Sequence, residues 1–156
     1  MKIHLIPFAF LAIVLVALLP ACSSEQTEPV IDPTQGAQML AGKYTTSITA
    51  EDVSNFQISS DPGLGMNQGD WLFTLTHDGK FSAEMDGNFM AAGKYTVESD
   101  RIEVYIESSC EECGCINAIG RYVWALNEDT LTFVKTAGSC YGMDLVLTSK
   151  ALTRQP

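Results

Sequence analysis

From Gly42 onward the chain alternates apolar and polar positions in short stretches, punctuated by turn residues at about 8–12 residue spacing. This pattern predicts strands over 42–49, 70–76, 80–86, 89–97, 101–107, 118–126, 130–135 and 143–149. One face is apolar throughout: Trp71, Phe73 and Leu75, then Phe81, Ala83 and Met85, then Ile102, Val104 and Ile106, with Tyr122, Trp124, Leu126, Leu131 and Phe133 to follow. His77-Asp78-Gly79, Asp86-Gly87-Asn88, Ser99-Asp100 and Asn127-Glu128-Asp129 separate the strands, and each suits a tight turn. No segment carries helix-length periodicity, although Thr49 and Asp52 stand near capping-box spacing and predict a short turn. Eight consecutive strands with hairpin links form an antiparallel meander, which hides its edges best by closing on itself. The expected fold is all-β, an eight-stranded antiparallel up-and-down barrel. A two-sheet sandwich is the rival, because strand patterning does not report closure.

Ahead of this pattern lies a different one. Lys2 is followed by an apolar segment from Ile3 to Leu19, ending in Leu19-Pro20-Ala21-Cys22. That run resembles a bacterial lipoprotein signal, which implies cleavage before Cys22 and a diacylglyceryl group on its sulfur. A membrane-spanning helix is the alternative, but 3–19 is at the short limit for a core of about 30 Å, and Pro7 and Pro20 bracket it. Each buried CH₂ of an acyl chain contributes about 0.8 kcal/mol, so the two or three chains implied by the resemblance anchor stably. Ser23 after the cysteine resembles lipoproteins sent to an outer membrane, where the cell has one. The organisation expected is a signal over 1–21, a lipidated Cys22 with a polar tether to residue 40, and a β domain over 41–156. Stretched out, the tether reaches about 60 Å at roughly 3.3–3.6 Å per residue.

Loss of the signal removes Lys2 and no acid, which moves the formal charge from −10 to −11. So acidic a chain is a poor partner for nucleic acid or an anionic bilayer face, and its charge serves solubility or attracts a basic partner. No block of consecutive like charges exceeds two residues, as at Glu111-Glu112.

Ala41-Gly42-Lys43-Tyr44-Thr45 recurs as Ala92-Gly93-Lys94-Tyr95-Thr96, and Gly120-Arg121-Tyr122-Val123-Trp124 is a looser copy. A glycine where a strand begins lets the backbone bend or approach a neighbour closely. Together with the span from Trp71 to Asp78-Gly79, these Gly-x-Tyr motifs resemble bacterial lipocalin-like domains of the calycin group over residues 42–149. The resemblance implies an eight-stranded cup that often holds a small apolar ligand, and a cysteine pair placed as Cys115 and Cys140 are. It departs at Tyr44, where lipocalins usually carry Trp, and at Met143, where an arginine is usual.

In an up-and-down meander alternate loops share an end. The turns at 77–79, 98–100 and 127–129 then lie together, and the segments 50–69, 86–88, 108–117 and 136–142 gather opposite, with four cysteines. The second end is the expected mouth. Leu64 and Met66, flanked by Gly63, Gly65 and Gly69, either dip into the cup as a plug or pack on its rim. Candidate ligand contacts inside are Trp71, Phe73, Phe81, Tyr95, Tyr122, Trp124 and Phe133, unless these side chains simply fill the interior.

Cys110, Cys113, Cys115 and Cys140 are an even set in an exported chain, which favours disulfides. Cys115–Cys140 with Cys110–Cys113 is one pairing, and Cys113–Cys140 with Cys110–Cys115 another. A four-thiolate zinc site and a redox-active Cys-x-x-Cys are the other readings, the latter disfavoured by Glu111 and Glu112 between the thiols.

Catalytic chemistry is thin: His77 is the one histidine after the signal, it sits in a turn, and no Gly-x-Ser-x-Gly elbow or phosphate loop is present. The chain therefore reads as a non-enzyme without a cofactor. Binding of a small apolar ligand is the first function expected. The alternatives are recognition of a basic cell-wall lytic enzyme by the acidic surface, or a purely structural role in the envelope.

Overall fold

The computed structural model describes residues 33–56, 62–138 and 140–156. The signal, Cys22 and the first part of the tether fall outside the described residues. The strands are β1 (Gly42–Ile48), β2 (Gly69–Leu75), β3 (Lys80–Met85), β4 (Asn88–Glu98), β5 (Arg101–Ser109), β6 (Ile119–Asn127), β7 (Thr130–Gly138) and β8 (Leu152–Arg154). They pair in sequence order, every neighbour antiparallel, and β8 returns to β1 to close the barrel. The closed order replaces the sandwich alternative.

The alternation read from the sequence sets the inward face. Tyr44, Ile48, Phe81, Tyr95, Val97, Ile102, Val104, Tyr122, Trp124, Leu131, Phe133 and Leu152 are all buried. Removing such side chains from water at about 25 cal/mol per Å² is what drives the ring shut. The repeated glycines have the expected role of close approach. A Cβ on Gly93 would stand 2.0 Å from the Tyr105 carbonyl oxygen, at a register shift between β4 and β5. A Cβ on Gly120 would meet the Tyr122 ring, which folds back over it.

Three helices depart from or refine the strand pattern. Helix α1 (Pro33–Leu40) lies inside the stretch read as tether, with Ala37 and Leu40 buried and Gly36 against Val97 of β4. It caps the end that holds the 77–79 turn: Tyr95 Oη donates to the carbonyls of Ala37 (3.2 Å) and Thr76 (2.7 Å). Two buried side chains on a short polar segment are too weak a period to see in sequence. Helix α2 (Ala50–Asn55) opens with the capping box expected at Thr49 and Asp52, both reciprocal bonds being made.

Helix α3 (Tyr141–Ser149) is the main correction, because 143–149 was expected to be the last strand. Asp144, Leu145, Val146 and Leu147 are buried in succession, which a helix laid across the barrel achieves and a one-faced strand does not. Cys140 caps it, its Sγ accepting from the Met143 N–H at 3.4 Å. The closing strand moves downstream to 152–154.

Candidate ligand-binding site

Opposite α1, the barrel is open. A 3₁₀ turn (Pro62–Asn67), the β3–β4 hairpin, the 110–118 loop and α3 surround a cavity of about 510 Å³. The four cysteines converge on its wall as two disulfides, Cys110–Cys113 and Cys115–Cys140, with Cα–Cα separations of 5.2 and 5.6 Å. This is the first of the pairings open at sequence level. The second bridge ties the 110–118 loop to the N-terminus of α3, so two of the segments around the mouth move as one.

The floor and sides come from strand residues that alternation aims inward. Trp71 and Phe73 on β2 stack with centroids 5.8 Å apart, and Ala83, Ala91 and Ile106 leave room beside them. Trp71 Nε1 donates to the Asn67 carbonyl at 2.9 Å, so the indole holds the 3₁₀ turn in place. Asn67 Nδ2 closes that turn on the Leu64 carbonyl at 3.2 Å. Leu64, 2% exposed, plugs inward, while Met66 at 48% stands at the rim. The turn packs tightly on α3: a Cβ on Gly142 would stand 3.0 Å from Asn67 Oδ1.

Of the aromatic side chains proposed from sequence to meet a ligand, Trp71 and Phe73 line this cavity, as do Leu64 and Met66. Phe81, Tyr95, Tyr122, Trp124 and Phe133 do not; they are buried elsewhere in the interior, Tyr122 against Asp144 of α3. The interior is thus divided between a packed part and a hollow part that α3 borders. Tyr122 and Phe133 meet edge to face at 5.9 Å within the packed part, beneath α3 where Asp144 meets Tyr122. Trp124 Nε1, also in the packed part, has no hydrogen-bond partner among the described residues.

Sequence reasoning missed what α3 supplies: Tyr141, Met143 and Val146 on the cavity wall. It also missed the group that anchors the helix. Asp144, fully buried, accepts from Tyr122 Oη at 2.8 Å and pairs with Lys135 Nζ at 2.5 Å. Burial, then the negative charge of Asp144 and the hydrogen bond to it, hold the Tyr122 phenol well above the ordinary tyrosine range. Lys135 in turn lies 5.5 Å from the Tyr141 ring centroid. The only signal available was one acid between apolar residues, which a strand register would have turned outward.

Among the described residues, no lysine, arginine or histidine lines the cavity, and its one charged lining side chain is Glu112 on the 110–118 loop. Among the described residues, no group of three or more His, Cys, Asp or Glu side chains is placed to hold a metal ion. No family model, curated protein or solved structure matches the chain.

Proposed function

We propose that this protein is a membrane-anchored lipoprotein whose lipocalin-like barrel takes up a small apolar molecule at its mouth. The observation that carries the reading is the hollow part of the barrel. Its 510 Å³ falls in the range of about 300–1,000 Å³ usual for small-molecule sites, and Trp71, Phe73, Met85, Met90 and Val146 make it largely apolar. The packed part of the barrel and the two disulfides preorganise that space, which lowers the ordering cost of binding. Non-catalytic binding is the reading adopted, without a cofactor.

The test is uptake of an apolar fluorescent dye, alongside native mass spectrometry of the purified protein. Ala91→Phe places a ring in the cavity and should weaken dye uptake at least tenfold while the far-ultraviolet spectrum stays that of the parent. A protein that arrives empty and ignores apolar dyes removes the reading. The anchor is tested separately, since Cys22→Ser should release the protein from the membrane fraction.

A second reading, recognition of a basic lytic enzyme, draws on the formal charge of −10. It requires binding to a basic lysozyme that weakens as salt rises.

A further inference from the structure

All eight sulfur-bearing residues between positions 41 and 156 stand on the wall of this same cavity. Four are the disulfide cysteines. The other four are methionines from four separate segments: Met66 from the 3₁₀ turn, Met85 from β3, Met90 from β4 and Met143 from α3. The remaining described methionine, Met39, is half exposed on α1 at the other end of the barrel. The packed part of the core is built from aromatic and branched aliphatic side chains and contains no methionine. Methionine is therefore not the general filler of this fold; among the described residues of the barrel itself, it stands only around the hollow part.

The methionine-bearing segments face one another closely. Met66 adjoins Asn67 and Met143 adjoins Gly142, the pair in which a glycine Cβ would stand 3.0 Å from the amide oxygen. Met85 lies against Gly69 at the root of the same turn, and the Met90 carbonyl accepts the Cys110 N–H at 2.8 Å. Each methionine has three rotatable bonds before its methyl group, so its sulfur sweeps a wide arc.

A thioether is a neutral, soft donor that selects soft d¹⁰ cations and offers little to Zn(II), which prefers thiolate, imidazole or carboxylate. Among the described residues, no basic side chain lines the cavity to repel a cation, and Glu112 supplies a negative charge beside it. We propose that this cavity is a thioether site for a soft monovalent cation, Ag(I) or Cu(I), held by Met66, Met85, Met90 and Met143. The inference shares its location with the apolar-guest reading and none of its chemistry.

The test uses the full chain with both disulfides intact, labelled with [¹³C-methyl]methionine and titrated with silver nitrate in chloride-free buffer. One Ag(I) should bind per chain, with the methyl resonances of Met66, Met85, Met90 and Met143 shifting together while Met39 stays silent. Replacing Met85 and Met90 by leucine keeps volume and apolarity, a swap that usually costs under about 1.5 kcal/mol. That variant should bind Ag(I) at least tenfold more weakly while its far-ultraviolet spectrum and thermal unfolding midpoint stay those of the parent. The proposal is overturned if no Ag(I) binds, if Met39 shifts in step with the others, if the leucine variant retains its affinity, or if binding needs reductant and so belongs to freed thiols. Loss of dye uptake with Ag(I) binding intact counts against the apolar guest alone.

Discussion

Arg154 lies over the Tyr44 ring, 5.2 Å from its centroid, and donates to Tyr44 Oη from both Nε (3.0 Å) and Nη2 (2.6 Å). Nη2 also reaches the carbonyl of Met39 at 2.7 Å, at the C-terminal end of α1. One guanidinium thus joins the first strand, the last strand and the helix that caps the barrel. It matters because β8 is only three residues long and pairs with β1 at just two positions.

Arg154→Ala should therefore destabilise the fold by about 2 kcal/mol, the sum of a ring contact and hydrogen bonds left without their donor. Arg154→Lys should recover less than half, because a single ammonium cannot reach the phenol and the helix carbonyl in the same forked geometry. Urea denaturation gives the first number. Proteolysis near residues 33–41 reports whether α1 detaches before the barrel opens.

Alkaline stability follows from three buried phenols. Burial raises Tyr44 despite the opposing Arg154 charge, carries Tyr95 to about 12, and raises Tyr122 further with the help of Asp144. Unfolded tyrosine loses its proton near pH 10, so above that value the unfolded chain binds fewer protons than the folded one. Stability should be flat below pH 10 and then fall, by up to about 1.4 kcal/mol per pH unit for each phenol still protonated in the fold. For Tyr95 the window runs from pH 10 to about 12. Tyr95→Phe should make the alkaline limb shallower, and an unchanged limb would remove this phenol from the account.

The two disulfides should differ in worth. Cys115–Cys140 spans 25 positions and Cys110–Cys113 spans 3. Chain-entropy arithmetic then assigns about 3.5 kcal/mol to the first and about 2 kcal/mol to the second. Serine replacement of each pair, followed by thermal unfolding, should show the larger loss for the long loop. The same variant should also loosen α3, since Cys140 is its N-cap, and weaken dye uptake.

Much of this was legible because a sheet writes its inward face into every second residue. Phe81 and Ala83, Val104 and Ile106, and Trp124 are where alternation put them. The closing segment was not legible. Met143, Leu145 and Leu147 alternate as a strand would, and only burial of Asp144 and Val146 between them separates the two forms. The cavity lining was half legible for a related reason. Alternation says that Phe81 and Trp124 point inward but not how far along the axis they sit. Depth is set by strand stagger, a long-range property. Alternation put Met85 on the inward face, but nothing local joined it to Met90 and Met143, since their common location needs three elements brought together.

The Asp144 cluster allows a sharper test than a single substitution. A carboxylate removed from water is costly unless paired, so cutting one side of a buried pair typically loses about 3–5 kcal/mol. Lys135 is about one-third exposed, which lets its freed charge find water and softens that loss. Asp144→Leu alone should then be less damaging than Lys135→Met alone, because only the lysine variant leaves a charge with no water to turn to. Combining Asp144→Leu with Lys135→Met leaves no ion and an apolar contact, with the Tyr122 hydroxyl alone losing its acceptor. The double variant should lie within about 2 kcal/mol of the parent, and adding Tyr122→Phe should bring it closer still. Coupling measured by this cycle ought to appear in ligand uptake too, since Met143 and Val146 reach the cavity from the same helix. Strictly additive losses across Lys135 and Asp144 would show that the pair does not act as a unit, and that α3 is held by its apolar side alone.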